Sequence, residues 1–399
     1  MKATLGAGLS TLQGKIGELC GKVIRGRQQI GRLSRPYSLS GGLPSPDQEW
    51  INDQYAIAVR DWRYASYVQR LFWDTLGKVD DISGFDWLVR KQCSLPPDRG
   101  VTWTPVQVLG FEVEVLSLCS LGGGECLAGT ALAAEIWKSL DYGLTWSSIQ
   151  SLGTNWTVDS LLYLGDGVCL AGCYGEGEIY RSVDSGDTWD FVFQPTDAEA
   201  IWAIALANHG VCVVGTFPLG EIWRSLDGGV TWSFAQQLAD EEEIVSLAYL
   251  GNDILIAGGA PTGQMWRSID NGASWAPVQV IGEVFEIYAL CYLGGGLCLA
   301  GTYDPCEIWR SIDYGLTWTK AQVILGAGAI CDLVYLGGGV CLASTWDSSG
   351  IWRSVDYGLT WALTSDLSGT EWAFSLANLG GGMCLCGVGE TGEIWRSAP

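Results

Sequence analysis

The sequence holds few residues that could perform acid–base or nucleophilic catalysis. Its one histidine, His209, occupies a position where other copies of the repeat described below have a glycine turn, so we expect a surface loop residue. No Cys–His or Ser–His pair can be assembled around it, although such pairs are what activate a nucleophile. The sequence therefore predicts a protein that is not an enzyme and that has no cofactor and no metal site.

Carboxylates are the catalytic groups that this acidic chain could supply in number. A glycoside hydrolase needs two of them in one cleft. Several acids lie in the loops before the predicted inner strands. We interpret them as a solvated rim that keeps copies of the protein apart, and the alternative is a site for a cation or a basic partner. These acids are Asp197, Glu199, Glu241, Glu242, Glu243, Glu283, Glu286 and Glu371.

Other acids belong to a motif with strict spacing. The pattern Ser-x-Asp-x-Gly-x-Thr-Trp begins at Ser139 and returns every 43 residues up to Ser354, with one Thr replaced by Ser274. A seventh copy is split between Ser397 and the segment that ends at Trp103. In such a turn the carboxylate accepts backbone N–H groups, glycine supplies a positive φ, and tryptophan packs between sheets. The motif residues are Asp98, Asp141, Asp184, Asp227, Asp270, Asp313 and Asp356, with Trp103, Trp146, Trp189, Trp232, Trp275, Trp318 and Trp361.

The repeat predicts an all-β fold. Each 43-residue period contains four short runs of strand character, and four antiparallel strands per period of this length are typical of a propeller blade. We predict a seven-bladed β-propeller over residues 97–399, closed by pairing of Glu393–Ser397 with an outer strand from residues 101–108, which removes open edges. Six cysteines share one repeat position with Leu255, so we interpret them as reduced core thiols. They are Cys126, Cys169, Cys212, Cys298, Cys341 and Cys384.

The motif resembles the Asp-box, or BNR repeat, of sialidases, sortilin-like receptors, certain xyloglucanases and a photosystem assembly factor. The resemblance implies Asp turns at the periphery of a propeller, away from its central channel, with a structural role. Sialidases of this kind bind the substrate carboxylate with three clustered arginines. The basic residues here share one repeat position, so they cannot converge in that way. We expect them to flank the Asp motif and pair with nearby acids: Lys138, Arg181, Arg224, Arg267, Arg310, Arg353 and Arg396.

The first 96 residues differ from the repeat region in charge and in pattern. Residues 1–97 hold 13 Lys and Arg against 9 Asp and Glu, and residues 98–399 hold 9 against 35. This acidic balance argues against nucleic acid binding at the propeller. We predict a basic, glycine-rich arm with a hairpin over residues 1–45 and a helical anchoring segment over 46–96 that begins at Ser45-Pro46. We expect no membrane span and no secretion signal.

The order of features in this segment is similar to that in tailed-phage and prophage structural proteins. Matching residues include Arg25-Gly26-Arg27-Gln28, Arg35-Pro36 and Ser83-Gly84-Phe85. The resemblance implies a non-enzymatic virion protein, a capsid- or tail-associated decoration made in the host cytoplasm. Residues 1–96 would bind other virion or lattice subunits in a homo-oligomeric assembly, with the propeller displayed outward. The assembly contacts would be Arg25, Arg27, Arg32 and Arg35.

Two other functions remain open at this point. One is a glycan- or receptor-binding adhesin module built on the same display plan, and the other is a sialidase-like glycoside hydrolase. An exposed aromatic cluster in the loops of one face would favour binding of a cell-surface glycan or receptor. A cleft with paired carboxylates would favour the enzyme.

Overall fold

The structure, a computed structural model, describes residues 100–110, 114–282, 284–348, 350–367 and 372–398. Asp98 and the predicted arm and helices of residues 1–96 lie outside these ranges. The described chain is nearly all β, with 28 strands and a short 3-10 turn at Asn208–Gly210. Within it, no helix has the length and apolar character needed to cross a bilayer.

The strands form four-stranded antiparallel meanders, which we call units and number along the chain. Units 2 and 3 share one sheet through a single pairing of Ala200 with Tyr174, and the other units are separate sheets. Unit 1 is β2 (Val115–Gly122), β3 (Glu125–Thr130), β4 (Glu135–Ser139) and β5 (Ser147–Ser151); unit 2 is β6 (Thr157–Gly165), β7 (Val168–Tyr174), β8 (Ile179–Ser182) and β9 (Asp190–Phe193); unit 3 is β10 (Ala200–Leu206), β11 (Cys212–Phe217), β12 (Glu221–Ser225) and β13 (Ser233–Gln237).

The remaining units follow the same order of strands. Unit 4 is β14 (Glu243–Gly251), β15 (Ile254–Ala260), β16 (Gln264–Ser268) and β17 (Ala276–Val280); unit 5 is β18 (Glu286–Gly294), β19 (Leu297–Tyr303), β20 (Glu307–Ser311) and β21 (Thr319–Val323); unit 6 is β22 (Ile330–Gly337), β23 (Val340–Thr345), β24 (Gly350–Ser354) and β25 (Ala362–Asp366); unit 7 is β26 (Ala373–Gly380), β27 (Met383–Val388), β28 (Glu393–Ser397) and, from the other end of the repeat region, β1 (Trp103–Val108).

The two ends of the repeat region meet in unit 7. Strand β1 pairs antiparallel with β28, from Trp103 opposite Ser397 to Val108 opposite Glu393, which is the pairing that the split motif predicted. The first strands of successive units also contact one another in series, and β26 of unit 7 contacts β2 of unit 1. The series of contacts therefore has no free end.

The hydrophobic core lies between successive units. Near the start of each first strand stands a fully buried aliphatic or alanine residue, such as Ile201 or Ile244. Gly172 permits the approach of Ile201, because a Cβ atom on this glycine would lie 2.6 Å from the isoleucine side chain. The six cysteines of the shared repeat position are buried in the second strands and form no disulfide, and Leu255 is buried with them.

Candidate functional site

The predicted Asp residues form closed turns between the third and fourth strands. Asp141 Oδ1 accepts hydrogen bonds from Thr145 N (2.8 Å) and Ser139 Oγ (2.9 Å), and Oδ2 accepts one from Thr145 Oγ1 (2.7 Å). Gly143 adopts a positive φ of 77°, and Trp146 Nε1 donates to its carbonyl (3.0 Å). We call this arrangement the Asp turn. Its Asp-to-backbone bond recurs at Asp184, Asp227, Asp270, Asp313 and Asp356.

The carboxylates of the Asp turns are stabilised in their charged form by the turn itself. Burial opposes ionisation of Asp227, but hydrogen bonds from Thr231 and Ser225 outweigh it and lower its pKa to about 2. The same balance lowers the pKa of the other described Asp-turn carboxyls. Across the described ranges, no group of three or more His, Cys, Asp or Glu side chains is placed to hold a metal ion.

A glutamine from the preceding unit holds each of five Asp turns. Gln150 of unit 1 donates from Nε2 to the carbonyl of Trp189 in unit 2 (2.9 Å), and Trp189 N donates back to Gln150 Oε1 (3.1 Å). We call this pair of bonds the glutamine clasp. Between units 2 and 3 Phe193 takes its place, stacked on Trp232. The other clasps are Gln107–Trp146, Gln236–Trp275, Gln279–Trp318 and Gln322–Trp361.

The periodic basic residues also act at these joints. Arg181 Nε donates to the carbonyl of Gly228 in the next unit's Asp turn (2.9 Å), and Arg224, Arg267 and Arg310 repeat the contact. These four arginines flank the Asp motif, as expected, and Asp313 and Asp356 attract Arg267 and Arg310, but the hydrogen bond goes to a backbone carbonyl. The turn's own donors already occupy its carboxylate, so the guanidinium binds a backbone carbonyl. Lys138 pairs with two acids, Asp187 (2.7 Å) and Glu125 (3.6 Å).

The Asp turns and the predicted acidic loops lie at opposite ends of the strands. Tyr142 N, in an Asp turn, donates to Gly124 O (2.8 Å) in the turn between first and second strands. The other end of those two strands carries aromatic side chains, which we call the aromatic face. One cluster there spans units 2 and 3 and another spans units 5 to 7. They consist of Trp156, Tyr174, Trp202 and Phe217, and of Tyr288, Tyr303, Trp346, Trp372 and Phe374.

The rings in each cluster touch one another and remain partly open to solvent. Tyr303 stacks on Trp346 with centroids 5.8 Å apart, and Tyr174 stacks on Trp202 at 5.5 Å. Trp156 is 59% exposed. Offset and edge-to-face contacts of this kind fix ring orientation without using hydrogen-bonding groups. The aromatic face therefore presents rigid apolar surfaces to solvent.

Carboxyl groups with raised pKa values lie beside these clusters. Burial, then the neighbouring Glu286 and Glu242, raises the pKa of Glu243 to about 7. Burial also raises the pKa of Glu286. In unit 2, burial raises the pKa of Asp159 to about 7 despite its hydrogen bonds with Thr157. Near neutral pH Glu243 and Asp159 can exchange a proton or donate a hydrogen bond.

The predicted solvated acidic rim is only partly present. Asp197, Glu199 and Glu242 are exposed, and His209 lies in an exposed turn, as expected. The predicted exposure is wrong for Glu241, which is buried and accepts hydrogen bonds from Trp266 Nε1 (3.1 Å) and Thr262 Oγ1. Its indole partner explains this position, because the buried N–H requires an acceptor. Glu283 and Glu371 lie outside the described residues.

Sequence reasoning missed two features of the site. The glutamine clasp had a visible signal, since Gln107, Gln150, Gln236, Gln279 and Gln322 recur with the 43-residue period or its double. The aromatic clusters had a similar signal, since Tyr174, Phe217, Tyr303 and Trp346 share one repeat position and Trp202, Tyr288 and Phe374 share another, although neither position is aromatic in every unit. Only the fold brings them together.

Comparisons with known proteins identify the fold. No protein-family model matches the sequence, and no curated protein matches it. Among solved structures, YCF48 bound to a D1 peptide aligns with a TM-score of 0.60 and 16% identity, over 74% of this chain and 95% of that chain. A GH74 xyloglucanase from Xanthomonas campestris aligns with a TM-score of 0.60 and 19% identity, over 75% and 54%.

A streptogramin B lyase structure aligns with a TM-score of 0.65 and 12% identity, over 74% of this chain and 96% of that chain. WD40 propellers are similar as well. Identities this low show the fold alone, and these proteins have different functions. The described part of the chain is a nearly all-β propeller, which confirms the predicted fold class at that level.

Proposed function

We propose that this protein is a non-enzymatic structural protein of a virion, a capsid- or tail-associated decoration. Residues 1–96 attach it to neighbouring subunits, and residues 97–399 form a seven-bladed propeller of the Asp-box type that is displayed outward. Its localisation is the virion, after synthesis in the host cytoplasm. The observation that carries the proposal is the resemblance of residues 1–96 to tailed-phage structural proteins, together with the change of charge sign near residue 97.

The joints between units support the assignment of seven Asp-box blades. Each four-stranded unit corresponds to one blade, and the Asp turn, the glutamine clasp and the arginine-to-carbonyl bond repeat from unit to unit. Such joints tie each blade to the next and make the ring a stiff platform. A platform of equal blades suits display, whereas an enzyme on this kind of scaffold usually enlarges some loops to build a pocket.

An incorporation assay tests the anchor. Virions are grown with the wild-type chain, with residues 1–96 deleted, or with Arg25, Arg27, Arg32 and Arg35 changed to Glu. We expect the deletion to leave a folded propeller that stays out of the virion. The charge reversal should reduce occupancy more at low salt than at high salt, because screening weakens surface ion pairs. An unchanged melting temperature is the control for folding. Full occupancy of the deletion variant would contradict the anchor.

The aromatic face favours a second function for the same displayed module, binding of a cell-surface glycan. Aromatic rings with fixed orientation give flat apolar surfaces for sugar rings, and carboxyl groups such as Glu243 and Glu286 can bond sugar hydroxyls. A glycan array with the whole protein tests this. Trp346→Ala should abolish any binding found, while Phe234→Ala, an exposed ring on outer strand β13, should not change it. Release of cleaved sugar from a bound glycan would favour the glycoside hydrolase instead.

A further inference from the structure

The Asp turns expose a regular belt of aliphatic side chains that their hydrogen bonds do not require. In each of six described turns the residue before the Asp is Leu, Ile or Val, and four turns carry a second one three residues after the Asp. All ten side chains are between 49% and 68% exposed. We call them the aliphatic belt: Leu140, Leu144, Val183, Leu226, Val230, Ile269, Ile312, Leu316, Val355 and Leu359.

Turn geometry does not explain the apolar character of these positions. The hydrogen bonds of the Asp turn come from Ser, Asp, Gly, Thr and Trp, so the positions between them accept any side chain that faces solvent. Asp187 shows this directly, since it occupies the second belt position in the turn of Asp184. The belt therefore offers exposed apolar surface that a partner segment can cover.

A second propeller is a poor occupant for the belt. Each Asp turn combines its aliphatic residues with a carboxylate whose pKa is lowered. Residues 98–399 hold 35 acids against 9 basic residues. Two such faces brought together would place like charges opposite one another, which opposes association.

The described chain begins on this face, and the segment 46–96 precedes it closely in the sequence. Gly100, the first described residue, accepts a hydrogen bond from Trp103 Nε1 (3.0 Å), as Gly143 does from Trp146, so it belongs to the seventh Asp turn. Residues 46–96 hold 6 basic residues against 8 acids and are therefore nearly neutral. They also supply large apolar side chains for a predicted helical segment: Trp50, Trp62, Phe72, Trp73 and Trp87.

We propose that residues 46–96 pack against the aliphatic belt of the two Asp turns that flank Gly100. The contact residues of the ring are Leu140 and Leu144 of unit 1 and Val355 and Leu359 of unit 6. This packing would form in the isolated chain and does not depend on the virion assignment. It places the Asp turns beside the anchor and turns the aromatic face away from it.

Limited trypsin digestion of the full chain tests whether residues 46–96 pack against the belt. Leu140→Asp with Val355→Asp should speed cleavage within residues 46–96 about tenfold or more, because cleavage follows the population of the undocked segment. Leu226→Asp with Ile269→Asp is the matched control, since these residues occupy the same positions in units 3 and 4, across the ring from Gly100. The control should cleave at the wild-type rate.

Hydrogen exchange of the wild-type chain gives a second readout that needs no variant. Amides of residues 140–145 and 355–360 should exchange more slowly than the equivalent amides of 226–231 and 269–274. Equal exchange in all four turns, or equal cleavage of the two variant pairs, would overturn the proposal. The proposal would also be overturned if the mass of the protein in solution fell by half in the control variant, because the belt would then be an interface between two copies of the chain.

Discussion

The glutamine clasp makes a sharp prediction about stability. Gln150→Ala removes the two hydrogen bonds that join unit 1 to the backbone of Trp189, and the alanine offers neither donor nor acceptor in return. A net hydrogen bond contributes about 1 kcal/mol, and a partly buried group left without a partner costs about 1–3 kcal/mol. We expect the free energy of unfolding to fall by about 2–3 kcal/mol, measured by urea denaturation followed by circular dichroism.

Two further variants show whether the clasp itself is responsible. Gln237→Ala removes one exposed hydrogen bond, from Gln237 Nε2 to Leu219 O, and should change the free energy of unfolding by less than about 0.5 kcal/mol. Gln150→Phe copies the natural joint of Phe193 on Trp232 and should recover part of the loss. If Gln150→Ala and Gln237→Ala lose equal stability, the clasp does not join the units.

Three other outcomes follow from the described residues. Burial raises the pKa of Asp332 to about 7, so its contribution to stability is full below about pH 4 and is lost as pH rises towards 7. Asp332→Ser, which copies Ser246 of unit 4, should remove about 3 kcal/mol of that loss between pH 4.5 and pH 7.5, measured by urea denaturation at both pH values. Gly172→Ala should lower the melting temperature through its clash with Ile201, costing about 1–3 kcal/mol. Thiol titration of the denatured, unreduced chain should count close to 14 thiols, and a count near zero would contradict the reduced core.

Much of the fold could be predicted from the sequence because the 43-residue repeat and the four runs of strand character in each period indicate the same four-stranded unit. In unit 4 the runs Ile244–Leu250 and Gln264–Ile269 have strand character in the sequence, and the structure has strands at Glu243–Gly251 and Gln264–Ser268. The fourth run of strand character starts at Ala273, but the fourth strand begins at Ala276. Residues 273–275 instead complete the Asp turn, where Ser274 N binds Asp270. Local hydrogen bonds of the turn decide this boundary, and alternating hydrophobicity does not reveal them.

The candidate sites were harder to predict because their contacts join residues from different units. The hydrogen-bond partner of each arginine depended on whether the nearest carboxylate could accept another hydrogen bond. The Asp227 carboxylate already accepts three from donors of its own turn. Glu241 was predicted in a solvated rim, yet it is buried and accepts a hydrogen bond from the indole N–H of Trp266, 25 residues later. The aromatic face likewise exists only because neighbouring first and second strands end at one side of the ring.

Imaging of native virions from the host that carries this sequence shows whether the protein is displayed on the particle. Electron cryomicroscopy with averaging over the capsid or tail lattice would locate the protein at the resolution of its blades. We expect ring-shaped densities at regular lattice positions on the outer surface, with the Asp turns towards the lattice and the aromatic face outward. Purified virions that contain no copy of the chain, or rings enclosed inside the particle, would contradict it.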